Sequence, residues 1–153
     1  MFQDEYDKVE GPAIEQLTQM GWSYIHGAKL SPDHANKERA YFWDVVLVNR
    51  LESSIKHLNP WISDENLRKV VRELTHPNFT GLMEYNHNIY QTLVNYISVE
   101  QDLGKGRKGQ TVKVIDFDNP NNNEFLCANQ FKVEGVHQNI IPDIVCFVNG
   151  LPL

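Results

Sequence analysis

The sequence predicts an α/β domain with its helices ahead of its sheet. Three observations predict it. Apolar residues recur at helical spacing up to about residue 96 and at strand-like spacing after it. The length, 153 residues, is one domain's worth and suffices for a core without a disulfide or metal staple. Hydrophobic residues at 41% and charged residues at 22% are an ordinary balance, which excludes a disordered, collagen-like or coiled-coil chain.

The elements follow in order. Pro12 suits a first helical turn, and Ile14, Leu17 and Met20 give one apolar face, so a helix is expected over about 12–20, closed by Gly21. Residues 22–26 read as a short extended segment and 31–37 as a loop. A second helix is expected over 39–58, with Phe42, Val45, Val46, Leu51, Ile55 and Leu58 as its stripe and Asn59-Pro60 as its stop. Ser63 reads as the N-cap of a third, 64–75, with Asp64 and Glu65 at the positive end of its dipole. Leu67, Val70, Val71 and Leu74 form its face, and His76-Pro77 ends it. A fourth helix is expected over 82–96. Strands are then expected over 96–100, 111–117, 124–134 and 141–148, with a Gly- and Lys-rich turn over 103–110. Gly150-Leu151-Pro152-Leu153 reads as a turn with another strand beginning, so the expectation is a single domain, 1–153, incomplete at its C-terminus.

Composition excludes several functions. A net charge of −6 argues against nucleic-acid binding by bulk charge. No apolar run approaches the roughly 18 residues of a membrane span, and the acidic N-terminal stretch has no apolar core. No membrane partner and a cytoplasmic location are expected. Cys127 and Cys146 read as reduced core residues. None of the six histidines forms HExxH, and no G-x-S-x-G elbow is present. The run Gly104-Lys105-Gly106-Arg107-Lys108-Gly109 has GxGxxG spacing, but a strand rather than a helix follows it. The dinucleotide reading is therefore rejected for a hairpin turn. Lys105, Arg107, Lys108 and Lys113 remain as a weak phosphate-touching patch, with a solvated loop as the alternative. In Pro142-Asp143-Ile144-Val145-Cys146-Phe147-Val148 a carboxylate opens an apolar strand. Burying it unpaired is costly, so it either faces a cleft or is a turn residue after proline.

The run Asn119-Pro120 … Asn123-Glu124-Phe125-Leu126 … Asn129-Gln130-Phe131 … Pro142-Asp143-Ile144-Val145 … Phe147 through Leu153 resembles the N-terminal nuclease region of type I restriction enzyme R subunits. Ala13-Ile14-Glu15-Gln16-Leu17, Gly21-Trp22, Val46-Leu47 … Arg50-Leu51 and Leu58-Asn59-Pro60 agree with it upstream. The resemblance implies a restriction-endonuclease-like PD-(D/E)xK fold, a mixed sheet flanked by helices, here with a helical insertion. It implies Asp143 as a metal-binding carboxylate and a first-helix glutamate, Glu10 by preference and Glu15 second, as part of the site. These lie five positions apart, on different helix faces, so at most one points at Asp143. The Glu-x-Lys of the family belongs to the strand that this chain only begins. The implied cofactors are Mg²⁺ and, in a motor region downstream, ATP. The implied partners are double-stranded DNA and the methylation and specificity subunits of a restriction complex. The chain alone is expected to be inactive. The alternatives are a non-catalytic module of the same fold that docks subunits or DNA, or another nuclease of that fold.

Overall fold

The structure, a computed structural model, describes residues 6–76 and 81–153. In chain order its elements are α1 (Gly11–Gln19), β1 (Ser23–His26), α2 (Val48–Leu58), α3 (Asp64–Thr75), α4 (Leu82–Asn95), β2 (Ile97–Asp102), β3 (Arg107–Val112), β4 (Phe125–Asn129), β5 (Val133–Glu134), β6 (Asn139–Ile140), β7 (Ile144–Val148) and β8 (Leu151–Pro152). The fold is mixed α/β. The chain divides into two compact units: residues up to Val48 together with Glu124–Leu153, and Asn49–Asn123. No helix among the described residues is long and apolar enough to cross a membrane. The stop expected at Pro77, and residues 1–5 of the acidic stretch, lie outside the described residues.

The first unit is built on a four-stranded mixed sheet, ordered β1-β4-β7-β8. β1 runs parallel to β4, from Ser23 opposite Leu126 to His26 opposite Asn129. β4 pairs antiparallel with β7, and β7 with β8. The β7–β8 loop is Asn149-Gly150, with φ of 53° and 82°, the left-handed pair that a two-residue hairpin demands. Buried Asn149 also ties the loop down: its Oδ1 accepts from the Glu124 N–H at 2.7 Å, and its own N–H donates to Glu124 O at 2.9 Å. Alternation along the strands sends Leu126, Ala128 and Phe147 into a core with Leu30, Leu47 and Phe131. Phe131 and Phe147 meet edge to face, with centroids 5.2 Å apart.

The helix expected over 39–58 begins only at Val48. Arg39 is the reason. Its buried guanidinium donates to the carbonyls of Leu30 (3.1 Å), Phe42 (3.3 Å), Asp44 (3.2 Å) and Lys132 (2.6 Å) and stacks 3.9 Å above the Phe131 ring. Two of those carbonyls would be helix acceptors, and here a side chain takes them first. The expected strand 124–134 breaks after Asn129 because Gln130 adopts φ 52°. The expected strand 141–148 begins only at Ile144, as β7, and the short strand β6 lies ahead of it at Asn139–Ile140.

In the second unit α3 starts at the expected cap, where Ser63 Oγ accepts from the Asn66 N–H at 3.2 Å. The Asn66 amide in turn donates to Glu100 O and Gln101 Oε1, fastening the helix to β2. β2 and β3 form an antiparallel hairpin from Ile97 opposite Val112 to Asp102 opposite Arg107. The turn is therefore 103–106 rather than 103–110, with Gly104 and Gly106 at positive φ. The strand expected over 111–117 starts earlier and stops at Val112. It stops because Asn59 pairs with both the N–H and the carbonyl of Lys113, and Asp116 folds the following residues into a turn. The Asp116 carboxylate accepts from the N–H groups of Asp118 (3.1 Å) and Asn119 (3.0 Å) and from Asn122 Nδ2 (2.9 Å).

Candidate active site

The expected carboxylates lie in the first unit. A wide turn, Tyr6–Glu10, leads into α1 and leaves Glu10 buried at its start, only 7% exposed. Pro12 sits in the first turn of α1, where its missing N–H costs nothing. Asp143 immediately precedes β7, and its side chain is exposed at the mouth of the strand rather than packed inside. Gln130 connects the two. Its Nε2 donates to Glu10 at 3.2 Å (Oε1) and 3.4 Å (Oε2), and its backbone N–H donates to Asp143 O at 3.2 Å. Glu15 is exposed and accepts from Gln19 Nε2 at 3.4 Å, one turn along α1. The structure thus brings Glu10 and Asp143 to one residue and leaves Glu15 apart.

Gln130 was not expected as a site residue. The signal for it is local: the polar pair Asn129-Gln130 interrupts an otherwise apolar strand. Its left-handed backbone is a costly conformation for a residue with a Cβ, and packing holds it in place. Gly27 is the backstop, since a Cβ there would lie 2.5 Å from both Asn129 O and Gln130 O. Beside Gln130, buried Asn129 accepts the Tyr24 hydroxyl at 2.8 Å. Burial first, then the neighbouring Tyr6, Cys127 and Glu10, hold the Tyr24 phenol above its ordinary value, so it stays a neutral donor. Cys127 and Cys146 are free thiols, opposite one another in the β4–β7 register. Burial raises both thiols above their ordinary value, which disfavours a nucleophilic thiolate.

The basic residues singled out in the sequence belong to the second unit. Lys105 lies in the β2–β3 turn and Lys108 on β3, opposite Gln101, both exposed. Arg107 pairs with Glu100 at 3.2 Å, and Lys113 lies 3.7 Å from Asp116 and 3.6 Å from Asp118. Half of this set therefore faces carboxylates of its own unit.

The chemistry open to the first unit is that of oxygen donors. Carboxylates suit a hard divalent cation such as Mg²⁺. Glu10, restrained by an amide, and Asp143, open to solvent, fit that chemistry. Among the described residues no three His, Cys, Asp or Glu side chains gather as a metal cluster.

Comparison with known proteins identifies the family. The chain is 38% identical over 148 residues to the putative type I restriction enzyme MjaIXP endonuclease subunit of Methanocaldococcus jannaschii, covering 95% of this chain and 14% of that protein. It is 30% identical over 146 residues to the type I restriction enzyme HindI endonuclease subunit of Haemophilus influenzae, with the same coverage of 95% and 14%. A second Methanocaldococcus jannaschii protein, the putative MjaVIIIP endonuclease subunit, is 31% identical, and the match covers 12% of it. The chain thus spans about one-seventh of the length of these relatives or less. The model of the type I restriction enzyme R protein N terminus matches residues 2–153, and the chain belongs to that family.

Proposed function

We propose that this chain is the DNA-cleaving part of a type I restriction endonuclease subunit, with a restriction-endonuclease-like PD-(D/E)xK fold and Glu10 and Asp143 as two of its site carboxylates. The observation that carries the reading is Gln130, which grips the Glu10 carboxylate and the Asp143 backbone at once. A carboxylate at the mouth of a strand and a buried one at a helix start suit phosphodiester hydrolysis; Gln130 links the two segments, its side chain on the Glu10 carboxylate and its backbone N–H on the Asp143 carbonyl. Mg²⁺ held by such carboxylates supplies water activation and offsets charge developing on the scissile phosphate. Gln130 keeps the Glu10 oxygens aimed, and its backbone bond anchors the start of β7. The parent acts on double-stranded DNA with ATP-driven translocation, in company with methylation and specificity subunits.

The chain alone does not cleave, because two carboxylates make too sparse a centre. Measurable Mg²⁺-dependent cleavage by the chain alone, abolished by Asp143→Ala, would overturn this. The decisive experiment uses the full-length subunit assembled with its partners. Asp143→Ala and Glu10→Gln are expected to lower DNA cleavage at least about 100-fold while ATP hydrolysis persists, and Glu15→Gln to change it little. Cleavage at the unaltered rate by Asp143→Ala sinks the assignment. A docking role attaches to the second unit, which has its own buried set, from Leu51 to Ile115. Loss of subunit assembly on removing its exposed side chains, with the carboxylates intact, would mark that role.

A further inference from the structure

A pocket of about 410 Å³ opens in the first unit, lined by Gly27, Ala28, Ser31, Asp33, His34, Arg39, Phe42, Gln130 and Lys132. It lies within the size range of small-molecule sites, roughly 300–1,000 Å³. The lining has a definite chemistry. Its charged groups are two cations, Arg39 and Lys132, against one carboxylate, Asp33, in a chain whose net charge is −6. Arg39 is committed to four carbonyls, so its charge is fixed in the wall with four of its five donors taken. Lys132 Nζ stands 4.4 Å from the centre of the Phe42 ring and 2.9 Å from Glu134 Oε1, at a half-exposed position from which it can turn to a ligand. His34 Nδ1 accepts from the Asn36 N–H at 3.1 Å, which leaves the ring proton on Nε2 as a donor. The pocket therefore combines an aromatic ring, a movable ammonium, an imidazole N–H and a hydroxyl. A flat heteroaromatic group joined to an anion matches that set, and a bare anion does not use the ring.

Gln130 decides what the pocket serves. The same residue that holds Glu10 and Asp143 also lines this wall. We propose that the pocket receives one nucleotide of a DNA strand next to the cleaved phosphodiester, its phosphate on Lys132 and His34 and its base against Phe42. The identity of the ligand as DNA rests on the nuclease reading above; the pocket and its chemistry do not.

The test uses the chain in EDTA, with deoxyadenosine 5′-monophosphate and inorganic phosphate as probes and backbone amide NMR shifts as the readout. The nucleotide is expected to shift residues 28–34 and 130–132, with binding weakened roughly tenfold by Lys132→Ala, the scale of one hydrogen bond to a charged group. Ala28→Trp, which plugs the mouth from an exposed position, is expected to abolish it, and Asp143→Ala to leave it unchanged. Silence at millimolar nucleotide overturns the proposal. Equal shifts with inorganic phosphate overturn it too, by reducing the pocket to an anion site. Loss of binding in Asp143→Ala does the same, by moving the ligand onto the carboxylates. A full-length Asp143→Ala protein that still cleaves, beside intact nucleotide binding, would fail the nuclease reading alone.

Discussion

At the scale of single residues, Arg39 and Asp116 carry more structure than their surroundings suggest. Arg39 satisfies four carbonyls at once, a task that a planar five-donor fork performs and an ammonium does not. Arg39→Lys should cost about 2–4 kcal/mol, measured by urea unfolding, because buried carbonyls lose charged donors; a cost below about 0.5 kcal/mol would deny the hub role. Asp116 works through its acceptors. The hydrogen bond from Asn122 first, then the Asn119 N–H, with help from Lys113 and the Asp118 N–H, draws its carboxyl below the ordinary 3.8. A depressed carboxylate stabilises the fold above the unfolded value and loses that contribution as pH falls through the folded one. Asp116→Asn should therefore destabilise at neutral pH, and the gap should narrow as pH drops below about 3.8. A gap independent of pH would assign the effect to shape alone. None of this was legible in the sequence, where Arg39 looked like a helix start and Asp116 like a strand residue. Both act by capturing backbone groups, some distant in sequence and some only a few residues away, and periodicity records neither.

At the scale of elements, the sequence was most readable where one amphipathic stripe and a local cap agree. α3 has both, and its start at Ser63 and its buried face of Leu67, Val70, Val71 and Leu74 are as the spacing predicts. The 39–47 stretch shows the reverse, because its aromatic and β-branched residues fit helical spacing while Arg39 takes the carbonyls of Phe42 and Asp44. The strands of the first unit were legible as apolar runs but not in their breaks. Gln130 ends β4 through backbone conformation, which hydrophobicity does not encode. The β7–β8 turn was expected over 150–153 but lies at Asn149-Gly150, with Leu151–Pro152 already in β8, although Asn-Gly is a local turn signal. Asn149→Ala removes the acceptor of the Glu124 N–H and puts alanine at φ 53°. A loss of about 2–3 kcal/mol is expected in thermal or urea unfolding. An effect within 0.5 kcal/mol of zero, at about the level of an ordinary surface change, would show that the hairpin does not depend on it.

At the scale of the whole molecule, the link from the Glu10 carboxylate through Gln130 to the Asp143 backbone was half visible in advance. Asp143 stood out because a charge opened an apolar strand. The choice between Glu10 and Glu15 stayed open because both occupy the same helical region, and burial with a Gln130 hydrogen bond separates them here. The pairing of a helix start with a strand mouth more than 130 positions away is a product of topology, through β1 lying parallel to β4 and β4 antiparallel to β7. The most direct measurement is Mn²⁺-induced broadening of backbone amide resonances in this chain, with Mg²⁺ as competitor. Broadening should centre on Glu10, Gln130 and Asp143, disappear in Asp143→Asn and in Glu10→Gln, and persist in Glu15→Gln. Broadening centred on the Asp116–Asp118 turn, or unmoved by Asp143→Asn, would contradict a shared cation site.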